Sequence, residues 1–370
     1  MKVMTILGTR PEIIRLSCVM ARLEATASIE HVLVHTGQNY DYELNQVFFD
    51  DLGVPRPTHF LECDTSTVGH AYGDILIKSE AVMLSEQPDA VLILGDTNSA
   101  IAAVIARRLH IPVFHMEAGN RSFDWSVPEE TNRRIVDHIS DVNLVYTEHA
   151  RQNLLREGIH PQRIYVTGSP MFEVLKTYRS QIEASTVLED EGLVEGQFII
   201  VSLHREENVD NAERLASLMA TLGQIATGRK LKVIVSTHPR TRKRLEEQNL
   251  VGGLNEDVVF SKPFGFFDYN KLQMSALAAI SDSGTISEEA SILGFPAITP
   301  RAWIERPEAL DTGSVIMTGL EPDTIVDALS YVIEYGRDVE IPADYQVPNT
   351  SDRVLRLLLG RDRRLRSTRR

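Results

Sequence analysis

Short apolar runs alternate with longer amphipathic stretches over most of this chain. The runs Val3–Leu7, His31–His35, Ala90–Leu94, Val113–Met116, Leu144–Thr147 and Ile164–Thr167 have the length and aliphatic content of strands buried on both faces. A second set follows at Phe198–Leu203, Lys232–Ser236, Val258–Ser261, Ala278–Ser281, Ala297–Thr299 and Ser314–Met317. Helical spacing separates them, as in Glu12–Ala25, Thr67–Glu86, Ser99–Leu109 and Ala212–Ala226. Strands alternating with helices predict βα units and parallel sheets. Two sets predict an α/β protein of two Rossmann-like, doubly wound domains, residues 1–170 and 171–349, with a helix over 350–360 packing back on the first. The boundary falls after Gly168-Ser169-Pro170, where turn-forming residues follow a strand. The polar stretch Arg179–Glu195 reads as the connection. Ligands of such sheets bind outside the carboxyl ends of the strands, so the crevice is expected where the two domains face each other.

Composition narrows the class. A hydrophobic share of 43% and a charged share of 24% over 370 residues are those of a soluble globular protein. The net charge of −14 argues against a general nucleic-acid binder, which needs a basic footprint, so any phosphate site must be local. Two cysteines, Cys18 and Cys63, are too few for a disulfide framework and lack metal-ligand spacing, which suits the cytoplasm. The N-terminal run stops at Gly8 without the features of a signal peptide. No apolar run approaches the roughly 20 residues that span a bilayer, so no membrane partner is expected. Six arginines between Arg361 and Arg370 form a basic tail, read as solvated and disordered, with an anionic membrane surface as the other reading.

Two strand-to-helix turns are suited to anions. In Gly8-Thr9-Arg10-Pro11-Glu12, Pro11 fits the first helical turn, the helix start offers unpaired N–H groups, and Arg10 adds a planar donor fork. The same turn also makes sense as plain structure. In the run from Asp282 to Glu289, Ser283 and Gly284 can present amides and a hydroxyl to a diphosphate, and Glu289 can accept from both hydroxyls of a ribose. A capping box explains one of the tandem glutamates and leaves the other.

Acids and histidines follow other strands. Asp96, Glu117, Glu129 and Glu130 stand at or beyond carboxyl strand ends, where paired carboxylates would repel and raise the pKa of one into the range for proton transfer. Singly, each also reads as a helix cap or a solvated acid. His204, after the second set's first strand, can donate to a phosphate or shuttle a proton, and His238 is a weaker candidate of the same kind. No zinc, EF-hand, Walker A or GxSxG pattern occurs.

Taken in order, Gly8-Thr9-Arg10-Pro11-Glu12, Thr36-Gly37-Gln38, Gly95-Asp96-Thr97, Glu117-Ala118-Gly119, Pro128-Glu129-Glu130-Thr131-Asn132-Arg133, His204-Arg205-Glu206, Asp282-Ser283-Gly284 and Glu305-Arg306-Pro307-Glu308 resemble the non-hydrolysing UDP-N-acetylglucosamine 2-epimerases. The resemblance runs from Met1 to about Leu359 and implies a GT-B fold. It implies C2 epimerisation of a UDP-sugar through loss and re-addition of UDP, without nicotinamide or metal cofactor, in a homodimer. It gives Asp96, Glu117, Glu129 and His204 catalytic roles, and places Arg10, Arg133, His238, Ser283, Gly284, Thr285, Glu289 and Arg306 around the substrate.

Three departures stand out. Asn120-Arg121-Ser122-Phe123-Asp124 replaces the usual Leu-Arg, Asn39-Tyr40 replaces His-Arg, and Thr285 replaces a second glycine. With Val136-Asp137-His138-Ile139-Ser140-Asp141, they resemble the UDP-2-acetamido-2,6-dideoxy-L-talose 2-epimerases, which make UDP-N-acetyl-L-fucosamine for capsule or O-antigen. The Asn39-Tyr40 change also weakens any carry-over of allosteric activation by UDP-N-acetylglucosamine. A gluco/manno substrate, a GT-B glycosyltransferase and a nucleotide-sugar sensor are the alternatives.

Overall fold

Thirteen strands form two parallel sheets in the structure, a computed structural model that describes residues 1–38, 49, 51–125, 127–248, 250, 255–336 and 340–360. Asn39, Tyr40 and the arginine-rich tail lie outside the described residues. Contacts divide the chain into two units, Met1–Thr177 with the chain from Ala343 onward, and Tyr178–Pro342.

The first unit holds β1 (Lys2–Leu7), β2 (Glu30–His35), β3 (His59–Phe60), β4 (Ala90–Leu94), β5 (Val113–Met116), β6 (Val142–Val145) and β7 (Ile164–Val166), in spatial order β3-β2-β1-β4-β5-β6-β7. Every residue from Val3 to Leu7 and from Ala90 to Leu94 is buried, as strands covered on both faces require. Strand order reverses between β1 and β4, which pair in parallel from Val3 with Ala90 to Ile6 with Ile93. Crevices of doubly wound sheets open at such a reversal.

The helix Arg10–Glu24 buries Ile13, Leu16, Met20 and Leu23 on one face. Against it packs the helix Thr350–Leu359, which buries Val354, Leu355 and Leu358. Each such aliphatic side chain contributes about 1.5–3 kcal/mol when fully buried. The Thr350 hydroxyl donates to the carbonyls of Thr167 and Ser169 at 3.3 and 3.1 Å, and the Ser351 amide donates to Glu173 at 2.7 Å.

The second unit holds β8 (Phe198–Ser202), β9 (Lys232–Ser236), β10 (Val258–Ser261), β11 (Ala278–Ser281), β12 (Ala297–Thr299) and β13 (Ile316–Met317), in the order β10-β9-β8-β11-β12-β13. Its reversal lies between β8 and β11, paired from Ala278 with Ile199 to Ser281 with Ser202.

Several segments differ from the sequence expectation, among them the last expected strand, Ser314–Met317, which is paired only over Ile316–Met317, and the division between the units, which falls at Thr177 rather than Pro170. β6 ends at Val145 because Thr147 is extended and caps the next helix, its side chain accepting from the Ala150 amide. The stretch Ser99–Leu109 begins as a 3-10 helix, Asn98–Ala102, before Ala103–Arg108. β3 joins β2 at the sheet edge through two residues too short to show a period. Arg179–Glu195 is not a connection. It forms the short helices Arg179–Glu183 and Val187–Asp190, and Val187 and Leu193 pack into the second unit's core with Phe198 and Ile200. Among the described residues, no helix is long and apolar enough to cross a membrane.

Candidate active site

At the first unit's reversal, the turns after β1 and β4 are locked together. A Cβ on Gly8 would meet Thr36 Oγ1 at 2.1 Å and Ser99 Oγ at 2.2 Å, so only glycine lets these two hydroxyls bond at 2.7 Å across the strand ends. Glu12 is buried one turn into the helix. It accepts from the Gly8 amide at 3.0 Å, the Thr9 hydroxyl at 2.7 Å and, from the other turn, the Thr97 hydroxyl at 3.1 Å. Burial pushes its carboxyl up to about 7, against the lowering effect of those donors. Arg10 is the half-buried first residue of the helix.

The acids after β4 and β5 are each paired with an arginine. Asp96 accepts from Arg133 Nε at 2.6 Å, and Asn132 holds the Asp96 carbonyl at 2.9 Å. Arg133 also binds Glu130 at 3.0 Å. Glu117 is buried, accepts from Arg15 Nη1 on the helix Arg10–Glu24, and receives Asn120 Nδ2 at 3.3 Å. Its φ of 64° lies in the left-handed region, which costs a non-glycine residue about 1–2 kcal/mol and recurs at functional sites. Asp96 and Glu117 thus each face a guanidinium group, while Glu12 is a buried acid raised by its burial. Of the tandem pair, Glu130 is fully buried and holds Ser122, Arg133 and Arg134, whereas Glu129 is half-buried in the first turn of the helix Pro128–Ile139.

Behind these acids, His115 joins Asp137 at 2.8 Å and the Gly95 carbonyl at 2.8 Å, so the residue before Asp96 is anchored too. Asp137 binds Arg121 at 2.7 Å, and Arg121 pairs with both oxygens of Glu157. Glu157 meets Arg134, which returns to Glu130. The polar contacts thus run as one chain from His115 to Asp96. Alternating signs let buried ions satisfy one another where isolated ones would not be tolerated.

In the second unit, Asp282 organises the turn after β8. It is fully buried, accepts from the amides of His204 and Arg205 at 3.0–3.1 Å and from Asn208 Nδ2 at 2.9 Å, and meets His204 Nδ1 at 3.1 Å. Burial pushes its carboxyl up, but the His204 charge and these donors outweigh it and hold the group at about 2. The His204 ring is 40% exposed, which leaves it accessible to a ligand. His238 lies 6.2 Å from it ring to ring and caps the helix Pro239–Glu247 through the Arg240 amide.

In the following turn, polar groups bond to one another. The Ser283 amide donates to Ser281 Oγ at 3.1 Å, and the Ser283 hydroxyl meets Thr285 Oγ1 at 2.9 Å. Arginines bracket the turn. Arg306 Nη1 donates to the Gly284 carbonyl at 2.8 Å, Arg205 Nε donates to the Asp282 carbonyl at 3.1 Å, and a Cβ at Gly284 would collide with Arg306 at 2.8 Å. Acids accompany both arginines: Arg306 Nε lies 3.4 Å from Glu288 and Arg205 Nη1 lies 3.5 Å from Glu305. Glu289 accepts from Gln273 Nε2 at 2.8 Å, with no capping box formed by Thr285. Among the described residues, no group of three His, Cys, Asp or Glu side chains is placed to hold a metal ion.

Arg15, Glu12 and Arg205 belong to these clusters and were not singled out from sequence as site residues. Arg205 and Glu12 both stand inside the motifs His204-Arg205-Glu206 and Gly8-Thr9-Arg10-Pro11-Glu12 without a role of their own. Arg15 and Glu12 look like ordinary helix residues until the fold brings Glu117 and Thr97 to them.

The model of the UDP-N-acetylglucosamine 2-epimerase family matches residues 21–359. The solved UDP-N-acetylglucosamine 2-epimerase of Rickettsia bellii is 44% identical with a TM-score of 0.89, over 97% of this chain and 96% of that one. The UDP-GlcNAc 2-epimerase of Methanocaldococcus jannaschii, in complex with UDP-GlcNAc and UDP, is 37% identical with a TM-score of 0.92, over 98% and 100% of the two chains. The UDP-2,3-diacetamido-2,3-dideoxy-D-glucuronate 2-epimerase of Pseudomonas aeruginosa is 34% identical over 89% of this chain and 91% of its own length.

Proposed function

Because the chain belongs to the UDP-N-acetylglucosamine 2-epimerase family, we propose that it inverts C2 of a UDP-2-acetamido sugar by eliminating UDP and adding it back. A carboxylate takes the C2 proton while the C1–O bond breaks, its electron pair leaving on the diphosphate, and a 2-acetamidoglycal remains. The diphosphate oxygen then returns to C1, and C2 receives a proton on the opposite face. No net oxidation occurs.

The C2 proton is weakly acidic, so stabilising the departing diphosphate has to drive the step. Arg10, His204, Ser283, Gly284, Thr285 and Arg306 take that role in this reading, with Glu289 on the ribose and His238 beside the phosphates. Asp96, Glu117 and Glu129 exchange the protons, and Arg133 orients Asp96. The observation that carries the proposal is the pair of carboxylates after neighbouring strands β4 and β5, each seated on its own arginine.

For the substrate we favour UDP-2-acetamido-2,6-dideoxy-L-talose, giving UDP-N-acetyl-L-fucosamine for capsule or O-antigen, in a cytoplasmic homodimer. What supports this is the Asn120–Asp124 run, whose Asn120 contacts Glu117 at 3.3 Å. UDP-N-acetylglucosamine is the second reading, favoured by the names of the Rickettsia and Methanocaldococcus relatives. Incubation with each UDP-sugar in D₂O, read by NMR, tests both. Deuterium at C2 of the talo/fuco pair is expected; deuterium only in the gluco/manno pair moves the substrate, and none in any 2-acetamido sugar ends the epimerase reading.

A further inference from the structure

Glu12 is an acid that the proton-exchange scheme leaves unused, and its surroundings are unusual. It is 1% exposed, and its hydrogen-bond partners are an amide and two hydroxyls, with no cation among the described residues paired to it. Burying an ionisable carboxyl without a paired cation costs stability. One oxygen, Oε2, takes the Gly8 amide and the Thr9 hydroxyl; the other, Oε1, takes the Thr97 hydroxyl. The first pair belongs to the turn that carries Arg10, and Thr97 follows Asp96 directly.

We propose that Glu12 is a positioning residue for the epimerisation, a clamp that joins the Arg10 turn after β1 to the Asp96 turn after β4. The inference rests on the reading of Arg10 as a diphosphate ligand and Asp96 as a proton-exchanging acid. Neighbouring contacts favour a single rigid frame. Thr36 and Ser99 bond across neighbouring strand ends, Arg133 fixes the Asp96 carboxylate, and His115 fixes the Gly95 carbonyl, while Glu12 ties the β1 turn to the β4 turn. Rigid placement of a charge acceptor and a proton acceptor is where rate is gained, since small misplacements are expensive.

The chain distinguishes geometry from charge. Glu12→Gln keeps both oxygen-side contacts, because the amide oxygen accepts from Gly8 and Thr9 while the amide nitrogen donates to the Thr97 hydroxyl. Glu12→Ala removes the clamp, and Thr97→Val removes one limb of it. C2 deuterium exchange, kcat, KM, UDP affinity by calorimetry and thermal unfolding are measured for all four proteins. The expected result is kcat down at least about 10-fold in Glu12→Ala and several-fold in Thr97→Val, with Glu12→Gln within about 3-fold of the parent. Thr97→Val is expected to keep the parent's unfolding temperature and UDP affinity, a split that a merely structural role would not produce. Parent-like kcat in both Glu12→Ala and Thr97→Val overturns the clamp, as does a Glu12→Gln protein as slow as Glu12→Ala. A parent enzyme without C2 exchange instead removes the epimerase reading on which the clamp depends.

Discussion

Arg15 and Glu117, 102 residues apart in sequence, form a buried ion pair in which the guanidinium Nη1 meets Oε2. Removing one partner strands the other charge away from water, at a cost of about 3–5 kcal/mol. Arg15→Ala is therefore expected to lower the thermal unfolding temperature by roughly 6–20 °C. Glu117→Gln keeps an acceptor for Arg15 and stays folded, yet loses C2 deuterium exchange while still binding UDP. Calorimetric unfolding and NMR exchange on the two variants check the pair; an Arg15→Ala protein as stable as the parent would contradict it.

Gly8→Ala puts a methyl group into the space between Thr36 and Ser99, each within 2.2 Å of the new carbon. Overpacking of this kind costs about 1–3 kcal/mol. The urea midpoint of the variant is expected to fall, and UDP-sugar turnover with it, since the displaced strand ends carry Arg10 and Asp96. An unchanged midpoint would mean that the strand ends yield freely.

Glu12 makes stability depend on pH between the unfolded and folded pKa values. Its folded carboxyl, raised by burial to about 7 from 4.5, binds its proton more tightly than the unfolded chain does. The associated stability is fully present below about pH 4.5 and is lost as pH rises through about 7, to the extent of about 3 kcal/mol. Glu12→Gln is expected to flatten that slope, gaining relative to the parent at pH 8 and not at pH 4.5. Parallel unfolding curves for the two proteins across this window would refute the assignment.

Asp282 acts in the opposite sense. Its folded carboxyl sits at about 2, below the ordinary 3.8, so it contributes roughly 2 kcal/mol above pH 3.8 that disappears as pH falls through 2. Asp282→Asn is expected to narrow the parent's advantage between about pH 4 and pH 2. At neutral pH the same change loosens the His204-Arg205 turn, whose amides Asp282 accepts, and UDP affinity is expected to drop several-fold by calorimetry.

Much of this architecture is visible in the sequence because parallel strands advertise themselves as uninterrupted aliphatic runs. Ala90–Leu94, Val113–Met116, Lys232–Ser236 and Ala297–Thr299 are read from composition alone with their observed limits. What stays hidden has short range or long reach. His59–Phe60 is too brief for a pattern, and the two helices within Arg179–Glu195 carry so few apolar residues that Ile182, Val187 and Leu193 pass for incidental ones. The positions of Asp96, Glu117 and His204 after strands are legible, but their partners are not. Arg133 lies 37 residues from Asp96, and nothing local links Glu12 to Thr97, 85 residues away. A glutamate one turn into a helix satisfies the dipole and draws no further notice.

The helix Thr350–Leu359 belongs with Arg10–Glu24, although the whole of Tyr178–Pro342 is threaded between them in the chain. On the ribosome, the inserted stretch is finished before the first-made layer receives its last piece. Until translation reaches that point, the apolar side of the N-terminal helix that Val354, Leu355 and Leu358 later cover stays bare, and the nascent chain has that much longer to need protection by a chaperone.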